Sequence, residues 1–216
     1  MNHRVRVFAV VILTFVIALS FGFLTEYVRQ TLVFSWAIEE GDEFIYEVII
    51  NEYSTGGSET PLIPFAGMNN SRIRVEIISL PNVSIVFYSS WFLENIVEYT
   101  KTSSIFDNGT DIPSGDRLII NRHVSYCMLP IGGWLHLDSF FPNRIHQPGR
   151  EHESYLSARQ GTSFYFGYSA NETFEANEWY GIIDIETGVP RVVSFWFYST
   201  SQALTYRYNV TMYQVS

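Results

Sequence analysis

The chain has 216 residues, a formal net charge of −9, aromatic side chains at 17% of positions and a single cysteine. The acidic balance excludes a phosphate-backbone partner, because nucleic-acid binding rests on clustered Lys and Arg. One cysteine excludes an internal disulfide, so stability must come from burying the aromatic and aliphatic side chains.

Arg4 and Arg6 precede Val7 to Leu24, an uncharged apolar run, and Glu26 follows it. A basic stub before an apolar segment predicts insertion with the N-terminus in the cytoplasm. Eighteen residues span roughly 27 Å as a helix, one turn short of a bilayer core. Ala18-Leu19-Ser20 also resembles a signal-peptidase site. An uncleaved anchor and a cleaved signal therefore both stand. Either way, residues 1–24 are the membrane-directed segment, 25–31 a linker, and 32–216 one extracytoplasmic domain. All 22 acidic residues lie beyond residue 24 with 11 of the 13 basic ones, leaving that part at 11 − 22 = −11.

Period-two alternation predicts strands along the domain. Val33 to Ile38 is a short candidate. Phe44, Tyr46, Val48 and Ile50 alternate with Glu43 and Glu47, and Ile73, Val75 and Ile77 with Arg72, Arg74 and Glu76. Ser90 to Lys101 fits helix or strand, Asp107 to Gly115 reads as a loop, and Arg117 to Asn121 as a short strand. Trp134 to Phe141 predicts a short helix, and Asn143 to Gln160 an excursion or loop. Glu172 to Glu178 is a further strand. Tyr180 to Ile185, the turn Glu186-Thr187-Gly188, and Arg191 to Tyr198 predict a hairpin with Pro190 opening the returning strand. The fold expected is mainly β: one antiparallel-sheet domain, half-barrel or sandwich, with one or two short helices besides the N-terminal hydrophobic one.

Five Asn-x-Ser/Thr sequons occur, at Asn69, Asn82, Asn108, Asn171 and Asn209. In an exported chain these are candidate glycan acceptors. Asn82 and Asn209 fall on the polar side of alternating segments. The lone Cys127 sits among apolar neighbours and is expected to be buried.

Catalytic patterns are missing. There is no Gly-x-Ser-x-Gly elbow, no His-Glu-x-x-His and no phosphate or dinucleotide glycine loop. No catalytic residue and no cofactor is assigned. His136, Asp138, His146, Glu151, His152 and Glu153 are metal-ligand types at spacings that match no ligand pair, so a solvated loop is the simpler reading. Asp107 to Asp116 gathers oxygen donors without the glycine placement of a calcium loop. Aromatic runs at Phe164 to Tyr168 and Phe195 to Tyr198 would suit a lipid or a glycan if exposed.

Phe34 to Val48, reading Phe-Ser-Trp-Ala-Ile-Glu-Glu-Gly-Asp-Glu-Phe-Ile-Tyr-Glu-Val, resembles the start of exported, membrane-anchored archaeal β-rich proteins of unknown function. Leu129-Pro-Ile-Gly-Gly-Trp134 and Asp184 to Val193 are similar to a turn and a hairpin in them. The arrangement is also loosely similar to the half-barrel of periplasmic lipoprotein carriers. That resemblance implies an apolar groove, here walled by Phe195, Phe197, Tyr206 and Tyr208, and an acyl ligand. The expectation is a non-enzymatic, membrane-tethered or secreted binding domain, with a lipid carrier as alternative and an unrecognised hydrolase or metalloprotein as the third reading. Oligomeric state is left open.

Overall fold

The computed structural model describes residues 12–24, 34–56, 64–65, 67–83, 96, 99–132, 153–171, 175–200 and 205–215, with backbone only at 52–56, 153–156, 171, 175, 199–200 and 205–206. Its strands are β1 (Glu43–Gly56), β2 (Ser71–Ser79), β3 (Lys101–Phe106), β4 (Glu153–Gln160), β5 (Ser163–Asn171), β6 (Glu175–Asp184), β7 (Pro190–Thr200) and β8 (Thr205–Gln214). Helix α1 covers residues 12–24, and α2 is Ser114–Cys127.

All eight strands join one sheet in the order β3-β2-β1-β8-β7-β6-β5-β4. Every neighbouring pair is antiparallel. The first and last strands meet in the middle, so β1 to β3 and β4 to β8 are two meanders joined edge to edge.

The alternation of the sequence sets which face is inner. Tyr46 and Val48 of β1 and Ile73, Val75 and Ile77 of β2 are buried, while Arg72 and Glu76 are exposed. Phe164, Phe166, Ile183, Val193, Phe195, Val210 and Met212 continue the same core. A one-residue slip would turn this whole set to solvent, which fixes the register. Phe65 enters the core from the segment before β2 with φ 58, a left-handed backbone that a bulky residue adopts only under constraint. Its ring lies 5.7 Å from Phe195 and 5.2 Å from Tyr208, and this packing offsets the strain.

The hairpin forms as the sequence predicts, with Gly188 at φ 74 and Pro190 first in β7. Burial alone would raise the Asp184 carboxyl, but the Glu186 N–H, Arg191 and the Thr187 N–H together hold it below the usual carboxylate range. Tyr46 donates its hydroxyl to Pro190 O at 2.9 Å, and burial pushes that phenol up.

Several expected elements come out differently. Arg117 to Asn121 is not a strand but the middle of α2. Its apolar set, Ile120, Val124 and Cys127, has i, i+4, i+7 spacing, which the β-branched pair Ile119-Ile120 masks. Of the expected strand Val33 to Ile38, the described residues Phe34 to Ile38 form only one bridge, Ser35 with Ile131. The described end of the excursion Asn143 to Gln160 is strand β4. Glu175 to Glu178 of the expected strand Glu172 to Glu178 join the hairpin arm in β6, residues 172–174 lying outside the described residues. Trp134 to Phe141 and most of Ser90 to Lys101 lie outside the described residues; Lys101 itself opens β3.

No helix among the described residues is long and apolar enough to cross a membrane. Helix α1 is nonetheless exposed along its length and carries nine large apolar side chains in solvent, including Phe15, Phe21 and Phe23.

Candidate functional site

Helix α2 follows β3 and packs on β3, β6 and β7. Pro113 occupies the N-cap with an extended ψ of 135 and no side-chain cap, and Asp116 in the first turn complements the helix dipole. At its other end the chain turns extended at Met128. Leu129 then donates its N–H to Gly188 O at 3.0 Å, pinning the helix end to the β6–β7 turn.

The side of α2 that faces β6 and β7 is tight and mostly apolar. A Cβ added at Gly181 would sit 2.7 Å from both Cβ and Sγ of Cys127, so only glycine allows this approach. Cys127 is a free, buried thiol, and burial raises its pKa, which leaves it protonated and unreactive. His123 stacks on Phe195 at 4.3 Å and 10°. Burial lowers its pKa to about 4, assisted by Arg122 and opposed by the Ile119 carbonyl, which lies 2.8 Å from Nδ1.

The side facing β3 is polar. The Thr102 hydroxyl donates to Asn121 O at 3.0 Å and lies 3.1 Å from Ser125 Oγ. Ser104 donates to Asn121 Oδ1 at 2.7 Å. Asn121 and Ser125, one turn apart, thus meet alternate hydroxyls of β3. Beside this seam lies a groove of about 400 Å³ lined by Thr100, Lys101, Thr102, Leu118, Asn121, Arg122, Ser125 and Tyr126. None of those residues is acidic. Thr100 is 1% exposed, and its Oγ1 has no hydrogen-bond partner. An unpaired buried hydroxyl costs about 1–3 kcal/mol, so something should compensate it.

The residues singled out in the sequence fall elsewhere. Phe195 and Tyr208 are buried in the core, and Phe197 stacks on Tyr208 at 5.7 Å. Phe65 and His123 occupy the ring faces that a groove wall would offer. The Tyr206 side chain is outside the described residues. Phe164 and Phe166 point into the core, with Tyr165 and Tyr168 half-buried.

Asn69, Asn82 and Asn108 are exposed in turns and loops, whereas Asn209 sits half-buried in β8 between β1 and β7. The Asn171 side chain is outside the described residues. In the Asp107–Asp116 stretch, Asp107 pairs with Arg74 at 3.1 Å and Asp111 with Arg117 at 3.3 Å. Asn108 Oδ1 accepts from the Thr110 N–H and hydroxyl. These oxygens serve a turn. No group of three or more His, Cys, Asp or Glu among the described residues could hold a metal. His136, Asp138, His146, Glu151 and His152, with the Glu153 side chain, lie outside them.

No family model, curated protein or solved structure matches the chain. Its function therefore rests on its own geometry.

The groove residues escaped sequence reading because Thr102 of β3 and Thr100 just before it are buried without being apolar. The available signal was hydroxyl alternation beside a helix bearing Asn121 and Ser125 four residues apart.

Proposed function

We propose that the protein is a non-enzymatic ectodomain, tethered by residues 7–24 and displaying a binding surface outside the cell membrane. The observation that carries this reading is α1. Nine large apolar side chains in water are unfavourable at about 25 cal/mol per Å² of apolar surface, and lipid is the solvent that removes the cost. Positive charge before the run orients it, and exposed sequons beyond it suit an exported, glycosylated domain.

The sheet is read as a half-barrel. In a flat sheet β3 and β7 would stand four strand spacings apart, about 19 Å. Helix α2 has 14 residues and is about 21 Å long. It packs on β3, on β7 and also on β6, which in a flat sheet would stand five spacings or about 24 Å from β3. A curled sheet accommodates all three contacts. The interior of the curl holds Tyr46, Phe65, Phe164, Phe166 and Phe195. Carriage of an acyl chain there would require Phe65 and α2 to withdraw, so ligand contact at the α2–β3 groove is the reading favoured. The resemblance to exported archaeal β-rich proteins agrees with it.

Alkaline extraction of membranes tests the tether. The full chain stays in the pellet and a chain lacking residues 1–24 does not. Release of the full chain by alkali would refute it.

A further inference from the structure

The strand directions gather one end of the sheet into a pole. β1 and β3 begin there, β2 and β8 end there, and the β6–β7 turn closes it. The chain also enters the domain at this pole. Ser35 bridges Ile131, just past α2, and Trp36 donates its indole N–H to Pro81 O, two residues beyond β2, at 2.8 Å. Between residue 24, where α1 ends, and Phe34 lie nine residues, 25–33. Fully extended they reach about 30 Å, roughly the length of a strand such as β2. A bilayer holding α1 therefore lies within reach of this pole.

Outside α1, five large apolar side chains among the described residues are exposed: Ile78, Tyr99, Leu118, Tyr213 and Val215. All but Leu118 lie at the entry pole. Ile78 is one residue from the end of β2 and Tyr99 two before β3, while Tyr213 and Val215 flank the end of β8. At the opposite pole, the described residues 67–71 and 107–114 expose no large apolar side chain. Single exposed apolar residues need no explanation, but their gathering at one pole does. Tyrosines suit the headgroup level of a bilayer, where the ring meets lipid and the hydroxyl stays in water. The carboxylates of the pole fit that level and no deeper. Glu40 accepts from the Leu80 N–H and Asp42 from the Glu39 N–H, and both stay in the hydrated layer with Glu39 and Glu186.

We propose that this pole docks on the zwitterionic headgroup layer of the bilayer that holds α1, with Ile78, Tyr99, Tyr213 and Val215 as its contact residues. Four separate side chains attach a free domain only weakly. The short leash raises their effective concentration at the lipid surface, so that weak contacts suffice. Docking goes beyond the binding role proposed above and rests on its tether.

The test is fluorescence quenching on the full chain in phosphatidylcholine vesicles whose lipids carry a nitroxide on the headgroup. Ala37→Cys places a dye at the entry pole and Ser114→Cys one at the far pole, both at exposed positions, while the buried Cys127 stays unlabelled. The dye at residue 37 should be quenched and the dye at residue 114 should not. Inserting about 20 Gly and Ser residues between Gln30 and Thr31 adds about 25 Å of reach and should leave the quenching at residue 37 in place. In that long-leash chain, Ile78→Ser with Tyr99→Ser and Tyr213→Ser should abolish the quenching at an unchanged melting temperature, since all three side chains are exposed. Tyr99→Ser alone should lower it in part. Replacing phosphatidylcholine by phosphatidylglycerol at low salt should weaken it, because Glu39, Glu40, Asp42 and Glu186 are exposed and would meet like charge.

Loss of quenching on lengthening the leash would overturn the proposal, because the leash alone would then account for the proximity. Equal quenching at the two poles, quenching that survives the triple substitution, or stronger quenching on phosphatidylglycerol would overturn it too. Each of these failures leaves resistance to alkali intact, whereas a chain that alkali releases refutes the tether and the docking with it.

Discussion

Substituting Gly181 by alanine tests how α2 is seated. The new Cβ would lie 2.7 Å from two atoms of Cys127, against an optimum of about 3.5–4 Å. The helix would have to retreat by about 1 Å. Its end is held by the Leu129–Gly188 bond and its β3 side by Thr102, Asn121 and Ser125, so it cannot retreat freely. Overpacking of this kind costs about 1–3 kcal/mol, partly offset by about 0.5 kcal/mol from the lower chain entropy of alanine. For a domain this size the melting temperature should fall by about 2–8 °C. Cys127→Ala removes one of the two clashing atoms. The double variant should therefore be more stable than the sum of the single effects predicts, by about 0.5 kcal/mol or more. Thermal melts of the four proteins measure the cycle, and hydrogen exchange should show α2 less protected in Gly181→Ala. Strict additivity, or a rise in melting temperature with the first substitution, would refute the close approach.

Other expectations follow from the core and its edges. His123 has a folded pKa of about 4 against an ordinary 6.5, so the unfolded chain binds more protons between those values. Its contribution, at most about 3 kcal/mol, is complete above pH 6.5 and is lost as pH falls toward 4. His123→Phe keeps a ring against Phe195 and should flatten urea-measured stability across that window; an unchanged slope would count against it. Asp184, whose carboxyl is held low, should add a separate loss only below its ordinary 3.8. Phe65→Ala should cost about 3–5 kcal/mol in denaturant melts by leaving a cavity between Phe195 and Tyr208, and a loss under 1 kcal/mol would show that the ring is not seated there. Glycopeptide mapping should find sugar at the exposed Asn69, Asn82 or Asn108 and none at Asn209. In that last sequon the Thr211 hydroxyl is buried against Asn51 and Ser194, so occupancy at Asn209 would contradict the placement of β8.

What the sequence made legible was the part of the fold with one clear period. β1, β2 and the Gly188 hairpin carry apolar side chains at every second position, and each strand formed with that set inward. Helix α2 was hidden because Leu118, Ile119 and Ile120 are consecutive and apolar, so periodicity over five residues could not separate helix from strand. Only the longer frame Ile120, Val124, Cys127 does so. β4 was hidden because Glu153 to Gln160 forms an edge of the sheet, where alternation is weak. Phe195 and Tyr208, expected to wall a groove, lie on the paired strands β7 and β8 and are buried. Sequence could not show that Phe65, more than a hundred residues away, fills the space between them. The α2–β3 groove was invisible for a related reason, since its hydroxyls acquire meaning only once the helix lies beside them.

Labelling of intact cells with a membrane-impermeant maleimide tests the tethered ectodomain most directly. Cys127 is wholly buried, so the natural chain is a silent background, and Glu186→Cys adds one exposed thiol at the hairpin turn. The account predicts labelling of the Glu186→Cys chain before lysis and none of the natural chain. Labelling that appears only after the cells are broken would contradict it.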